Sequence, residues 1–234
     1  MTKAQDGYRP LMSEERATKI WELHQSLVSR GSAGAECEQT FSFLGLTITV
    51  PPQVLAIGPV SYLLGEAVLA ETGSGDRVLD MGTGNGVNGV LAATKGAEVL
   101  AVDINPHALE AARGNADRNG VGDRFEVRHS DIFSAVDGAF DLIIFNPPFR
   151  WFAAGNVYES ATTDENYAAL TRFFRQARKH LTGTGRVLIF FGTGGDLDYL
   201  HQLADEEGFR RETVSQHSRM IAGMQVDFVT YRLS

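Results

Sequence analysis

The stretch RVLDMGTGNG, residues 77–86, decides the fold of this chain. Its first half is an apolar run of strand length, and its second half carries glycines at positions 82, 84 and 86. Glycines at this spacing allow a tight turn and let the backbone approach a ligand closely. A helix is predicted immediately afterwards, over residues 87–95. A strand, a glycine turn and a helix in this order predict the first unit of an α/β domain with a cofactor site at the turn.

The rest of the chain alternates between strand and helix patterns. Further strands are predicted over residues 98–102, 125–128, 140–145, 185–191, 209–215 and 226–233, and further helices over 106–119, 163–181 and 197–207. Strands that alternate with helices predict a mostly parallel sheet covered on both faces. Only residues 217–223 separate the last two strands, which should therefore pair antiparallel. The predicted architecture is a three-layer α/β fold with a seven-stranded, mostly parallel sheet whose last strand is antiparallel.

The residues before the glycine turn predict a short N-terminal extension. A helix should run from Ser13, as its N-cap, to about Arg30. Residues 41–50 alternate apolar and polar side chains around Gly45, which predicts a hairpin. We expect residues 1–52 to form this helix-and-hairpin extension as a cap on the substrate side, and residues 53–234 to form the main domain.

Acidic residues follow the first three strands of the predicted sheet. Asp103 ends the second strand, where an acid can accept hydrogen bonds from ribose hydroxyls. Asp131 and Ile132 follow the third strand, where they suit the exocyclic amine and the ring of adenine. Asp80 precedes the glycines and suits the cationic amino-acid part of S-adenosylmethionine, whereas it would repel a pyrophosphate. The pattern therefore favours S-adenosylmethionine over a dinucleotide.

Residues 77–149 resemble the class I, Rossmann-like methyltransferases, and the strand pattern to residue 233 is similar to their seven-stranded sheet. The resemblance implies that the glycine turn lines the cofactor, that Asp103 holds the ribose and that Asp131 contacts the adenine. The candidate cofactor-binding residues are Asp80, Gly82, Thr83, Gly84, Gly86, Asp103, Ile104, Asp131, Ile132 and Asn146.

The segment Asn146-Pro147-Pro148-Phe149 follows the fourth strand and should face the same crevice as the glycine turn. The two prolines remove two N–H donors and leave carbonyl oxygens as acceptors. The side-chain oxygen of Asn146 and the carbonyl of Pro147 suit the two hydrogens of a planar –NH2 group, and Phe149 offers a flat face. Asn146, Pro147 and Phe149 are the candidate catalytic residues. The segment resembles the motif of amino-methyltransferases, which act on exocyclic amines of nucleobases or on glutamine of translation release factors.

The acceptor of the methyl group is less determined by the sequence. Residues 43–51 look like the hairpin of release-factor glutamine methyltransferases, but residues 56–62 lack the Ile-Pro-Arg-Pro-Glu-Thr-Glu run of that family. We therefore expect a small molecule, such as a nitrogen heterocycle of specialised metabolism, with protein-glutamine N5-methylation as the alternative. Residues 150–166 are expected to form a mobile lid. The candidate substrate-binding residues, which supply one cation and several aromatic faces, are Tyr62, Pro148, Arg150, Trp151 and Phe152.

The composition bears on partners and location. The 29 acidic and 21 basic residues give a net charge of −8, which disfavours a nucleic-acid substrate, including adenine in DNA or RNA. The basic residues between 172 and 179 are interpreted as the solvated face of a helix. The single cysteine, Cys37, and the polar start of the chain lead us to expect a cytoplasmic protein without disulfide, structural zinc or membrane span.

Two alternatives from other classes stay open at this point. One is a nicotinamide oxidoreductase, since residues 84–89 match the pattern GxGxxG. The other is a non-catalytic subunit that keeps the methyltransferase fold.

Overall fold

The computed structural model describes residues 8–31 and 37–234. Its helices are α1 Glu14–Gly31, α2 Tyr62–Glu71, α3 Val87–Thr94, α4 Pro106–Arg118, α5 Ala168–Ala177 and α6 Leu197–Glu206. Its strands are β1 Gln39–Phe43, β2 Leu46–Val50, β3 Arg77–Met81, β4 Glu98–Asp103, β5 Phe125–His129, β6 Phe140–Phe145, β7 Leu181–Gly192, β8 Arg211–Ile221 and β9 Met224–Leu233. None of the helices in these ranges has the length and apolarity that a bilayer crossing needs.

The central sheet has seven strands in the order β5-β4-β3-β6-β7-β9-β8. Neighbouring strands from β5 to β7 pair in parallel, and β9 runs antiparallel to both β7 and β8. The predicted three-layer fold, with its mostly parallel sheet and antiparallel last strand, is therefore confirmed.

Two apolar cores cover the two faces of the sheet. One contains α2, α3, α4 and β2, together with Leu23 of α1. The other contains α5 and α6, with Phe173 and Phe174 fully buried. The central strands β3 and β6 contribute to both cores, since alternate side chains of a strand point to opposite faces. This explains why residues 140–145 are almost wholly apolar.

Asparagine side chains attach the N-terminal hairpin to the main domain. Asn115 of α4 accepts from Thr49 N at 2.8 Å and donates to Thr49 O at 2.8 Å. Asn119 makes the same pair of bonds with Thr47, at 3.0 and 2.9 Å. Each amide therefore satisfies one N–H and one C=O of β2, as a neighbouring strand would. The boundary between residues 52 and 53 stays a prediction.

The helix predicted over residues 163–181 is shorter in the structure. The chain forms a 3-10 turn at Glu165–Tyr167, in which Asn166 and Tyr167 are left-handed with φ of 55° and 51°, and α5 begins only at Ala168. The carboxylate of Asp164 accepts from Ala169 N and Leu170 N, so it caps the helix across this kink. The kink directs the Tyr167 side chain into the core.

The β8–β9 hairpin is longer than predicted. Its two-residue turn is Ala222-Gly223, with φ of 48° and 81°, which matches the right-handed twist of paired strands. Strand β9 starts to pair with β7 at Phe228, so residues 217–227 project beyond the carboxyl edge of the sheet.

Candidate active site

The glycine turn lies between β3 and α3, at the carboxyl edge of the sheet. Gly86 serves packing, because a Cβ there would lie 2.7 Å from the Cα of Ala112 in α4. Gly84 differs, since its φ is 55° and an added Cβ would meet no atom within 4 Å. Gly82 also has a positive φ and only the ring of Phe145 nearby, at 3.8 Å. Gly82 and Gly84 therefore border open space, and Gly86 does not.

Asp80 and Thr83 support the turn from inside the protein. Asp80 is 2% exposed, and its Oδ2 accepts from Thr83 Oγ1 at 2.6 Å and from Gly89 N at 3.0 Å. Burial raises the pKa of Asp80 to about 6, although both hydrogen bonds act in the opposite direction. The carboxylate links the turn to the first turn of α3, and the Thr83 hydroxyl is buried with it. The expected contact of Asp80 with the charged end of the cofactor stays a prediction.

Asp103 lies beside the turn, at the end of β4. Its Oδ2 accepts from Gly84 N and its Oδ1 from Asn105 N, both at 2.9 Å. Burial raises the pKa of Asp103, against the effect of these hydrogen bonds. Each oxygen keeps a lone pair for a further donor. The next side chain, Ile104, is 51% exposed and offers an apolar surface at the same edge.

Asp131 and Ile132 follow β5 with an unusual backbone. Ile132 has φ of 52°, which is rare for a β-branched residue and indicates local strain. The hydroxyl of Ser130 donates to Ile132 O at 2.8 Å and holds this conformation. Arg172 of α5 donates to both oxygens of Asp131, each at 2.8 Å. Arg172 is exposed, as the predicted solvated face requires, and it also pairs with Asp131.

Asn146 lies next to the glycine turn. Met81 of β3 is the register partner of Phe145 of β6, so Gly82 and Asn146, the next residues of two parallel strands, are neighbours at the edge. Asn146 is exposed and Pro147 is buried. The Phe149 ring packs 4.9 Å from Phe191 and 5.7 Å from Phe190, between centroids. The partly buried Phe149 therefore anchors the segment, and the expectation that its face is offered to the acceptor stays a prediction.

A chain of buried hydrogen bonds holds the end of this segment. The hydroxyl of Tyr167 donates to Phe149 O at 2.5 Å and accepts from Asp196 N at 2.7 Å. The carboxylate of Asp196 in turn accepts from Tyr8 Oη at 2.6 Å and from Leu11 N at 2.7 Å. Sequence analysis missed Tyr167 and Asp196. Asp196 could have been found as the N-cap of α6, whereas no local pattern points to Tyr167.

Helix α1 covers the residues that follow Phe149. The Phe152 ring lies 4.7 Å from Trp21 and 4.8 Å from Trp151, between centroids. Asp164 N donates to Arg150 O at 2.7 Å. This hydrogen bond joins the start of the expected lid to a residue near its end. The movement of the lid stays a prediction.

Tyr62 lies apart from this aromatic group. Its ring is 6.3 Å from His217 of β8, and none of its described ring contacts reaches Trp151 or Phe152.

The carboxyl edge fits S-adenosylmethionine chemically. It combines open space along Gly82 and Gly84, a carboxylate at Asp103 for ribose hydroxyls, and an exposed apolar side chain at Ile104. Asp131 adds acceptor oxygens, two of whose lone pairs are already used by Arg172.

Comparisons with known proteins agree with this geometry. A model of the methyltransferase small domain matches residues 57–216. Ribosomal RNA small subunit methyltransferase C of Chromohalobacter salexigens is 32% identical over 189 residues, which are 78% of this chain and 52% of that protein. A protein of Methanocaldococcus jannaschii, provisionally named a protein N5-glutamine methyltransferase, is 45% identical over 73 residues, 31% of this chain and 36% of that protein.

A solved structure supports the fold. Ribosomal protein L11 methylase from Lactobacillus delbrueckii subsp. bulgaricus has a TM-score of 0.57 at 24% identity, over 76% of this chain and 80% of that one.

The chain spans about half the length of the first curated relative and about a third of the second. The family match nevertheless extends over more than half of the 234 residues. It confirms the predicted enzyme class and cofactor, and the nicotinamide alternative finds no support. The chain therefore belongs to the methyltransferase small domain family of class I S-adenosylmethionine-dependent methyltransferases.

Proposed function

We propose that this protein transfers the methyl group of S-adenosylmethionine to a planar nitrogen of a macromolecule, and that this nitrogen is the side-chain amide of a protein glutamine. The observation that carries the proposal is the position of Asn146. It is an exposed amide acceptor, it precedes two prolines, and it neighbours the open glycine turn through the β3–β6 register.

The chemistry that this site must supply is mainly alignment. Bound S-adenosylmethionine supplies a methyl group that is already activated. Asn146 Oδ1 and the Pro147 carbonyl accept the two hydrogens of the amide –NH2 and direct the nitrogen at the methyl carbon. A nitrogen–carbon bond forms, the sulfur–methyl bond breaks, and the nitrogen loses a proton to water. Orientation lowers the barrier, and the two acceptors stabilise the positive charge that grows on nitrogen.

Tyr167 and Asp196 act in this proposal as positioning residues. Their hydrogen bonds fix the Phe149 carbonyl, and the ring of Phe149 is held by the Phe190 and Phe191 side chains. The backbone between Asn146 and Phe149 is thus held at both ends, on one side by β6 and on the other by this buried chain.

The acceptor is chosen from the relatives and from charge. The relatives described above are named for ribosomal RNA, ribosomal protein or protein glutamine, and none is named for a small molecule. The small-molecule acceptor expected from the sequence is therefore replaced by the glutamine alternative. A net charge of −8 opposes the approach of a polyanion and favours a protein.

An exocyclic amine of ribosomal RNA is the second candidate. The observation in its favour is the extent of similarity, since the ribosomal RNA enzyme matches 78% of this chain and the glutamine enzyme 31%.

The experiment that separates these candidates uses S-adenosylmethionine with a labelled methyl group and an extract of cells that lack the gene. We expect label in protein, resistant to ribonuclease, and N5-methylglutamine after enzymatic digestion. Label that ribonuclease releases would favour the RNA candidate, and label confined to small molecules would contradict both.

A further inference from the structure

Two side chains with unpaired nitrogen atoms lie near each other, one on α1 and one on the segment after Phe149. They are the buried His24 and the partly buried Arg150, and the rings of Trp21 and Phe152 pack beside His24. The His24 ring lies 4.9 Å from Phe152 and 5.6 Å from Trp21, between centroids. We call this pair the Arg150–His24 cluster.

Arg150 is a partly buried cation that has no counter-ion among the described residues. Its backbone is fixed, because Arg150 N donates to Thr162 O at 3.3 Å and Arg150 O accepts from Asp164 N at 2.7 Å. Its Nε is buried with no hydrogen-bond partner, and no carboxylate among residues 8–31 and 37–234 forms an ion pair with it. Burial lowers the pKa of Arg150 but leaves it protonated at neutral pH.

His24 also has a buried nitrogen atom without a hydrogen-bond partner. Its side chain is 4% exposed, and its Nδ1 has no hydrogen-bond partner in the described part of the chain. Burial and the charge of Arg150 lower the pKa of His24, while Glu159 acts weakly in the opposite direction. His24 is therefore neutral when the cluster is empty of anions.

Such an arrangement costs stability unless a ligand completes it. A buried charge without a partner and a buried nitrogen without a hydrogen bond are both unfavourable, and native proteins rarely keep them. The ring of His24 packs against Phe152, which lies two residues after Arg150. Arg150 also follows Phe149 directly, so the cluster adjoins the segment that holds the acceptor.

We infer that the Arg150–His24 cluster is a binding site for a carboxylate group of the acceptor protein, near the glutamine that is methylated. A planar guanidinium fork matches a carboxylate in a bidentate pair. A single cation does not suit a phosphodiester chain, which needs several along its path. The identity of the ligand rests on the proposed function, whereas the presence of an oxyanion site does not.

The test uses sodium acetate as the carboxylate probe and sodium phosphate as the phosphate probe, at constant ionic strength, without cofactor or acceptor. The imidazole resonance of His24, identified by its loss in His24→Gln, is followed through a pH titration. Acetate should raise the pKa of His24 and the Tm of the wild-type protein, and it should do neither in Arg150→Met. Arg178→Met is the matched control, because Arg178 lies over the ring of Phe209 and should leave the acetate effect intact.

Without any probe, Arg150→Met should raise Tm by about 2 to 4 °C, since a partly buried cation whose Nε has no partner is replaced by an apolar side chain of similar length. The same variant should lower methyl transfer to the protein acceptor. An acetate effect equal in wild type and Arg150→Met, or a lower Tm for the variant, would overturn the inference. An effect of phosphate alone would overturn the carboxylate assignment and favour the RNA acceptor. Because the acetate titration does not depend on methyl transfer, its failure is distinguishable from failure of the proposed function.

Discussion

Two arginines at the amino end of the central sheet and one at its carboxyl end differ in how their side chains are paired. At the amino end, Arg186 bonds to Glu71 at 3.0 Å and to the carbonyl of Asp141 at 3.0 Å. Arg232 bonds to Glu71 at 2.7 Å and to Glu212 at 2.6 Å. At the carboxyl end, the side chain of Arg150 is partly buried and its Nε has no described hydrogen-bond partner.

This difference indicates which charged groups stabilise the fold and which ones belong to the functional edge of the sheet. The charged side chains at the amino end form ion pairs with each other, so they stabilise the fold. Groups at the carboxyl end are desolvated without full compensation, as the raised pKa values of Asp80 and Asp103 also indicate. Perturbed groups that converge in this way are typical of functional sites. If this comparison is right, substitutions at the two ends should change different measurable properties.

The largest effect is expected for Asn146→Ala. Loss of the side-chain acceptor should lower kcat by about 10²- to 10³-fold, as removal of one oriented polar group in other active sites does. Because Asn146 is exposed, Tm should stay as in wild type. Steady-state kinetics and thermal denaturation test this. Full activity of the variant would contradict the proposed role of the segment.

At the amino end, Arg186→Met should lower the stability of the protein and leave its kcat unchanged. It leaves Glu71 with one remaining cation, and the free energy of unfolding should fall by about 2 to 3 kcal/mol. The kcat of the folded protein should not change. Chemical denaturation and kinetics on the same sample measure both quantities. A loss of kcat without a loss of stability would contradict the stabilising role assigned to the amino end of the sheet.

Asp80 tests whether burial of a carboxyl group at the carboxyl end of the sheet lowers the stability of the protein at neutral pH. Its folded-state pKa, about 6, lies above the ordinary value of 3.8, so folding favours the protonated form. Its contribution to stability is complete below about pH 4 and is lost as pH rises through 6. Relative to Asp80→Asn, the wild-type protein should therefore lose about 2 to 3 kcal/mol between pH 4 and pH 7. Urea denaturation at several pH values measures the difference, and a constant difference would exclude the raised pKa.

The smallest effect is expected for Tyr167→Phe, which removes the hydroxyl but keeps the packed ring. Loss of the hydrogen bond to Phe149 O should lower kcat by about tenfold through misalignment, and leave the affinity for S-adenosylhomocysteine unchanged. Tyr199→Phe is the matched control, because Tyr199 stacks on Tyr167 at 5.4 Å and its hydroxyl contacts only Thr171 among the described side chains. Equal kcat values for both variants would mean that Tyr167 has a purely structural role.

The bounds of a strand were predictable where its local sequence pattern agrees with its burial in the fold. Strand β6 has the predicted bounds, because an apolar run between Gly138 and Pro147 leaves no alternative. The end of β8 was missed, because residues 216–220 are exposed and show no alternation of apolar and polar side chains. Their strand conformation comes only from pairing with β9.

The candidate site was predictable to a similar degree. The glycine turn, Asp103, Asp131 and Asn146 follow consecutive parallel strands, and the carboxyl ends of such strands meet at one edge. The directions of their side chains were not predictable. Asp80 turns inward to Gly89, and Phe149 turns into the core.

The sequence by itself determined the order of strands and helices, the glycine turn and the chemical character of the segment after β6, because periodicity and turn chemistry act over a few residues. Only the tertiary structure decided which charges are paired, which have no described partner, and which distant groups hold the segment in place. Tyr8 and Asp196 are 188 residues apart along the chain and share a hydrogen bond. Such pairings depend on how whole elements pack, and no local pattern encodes them.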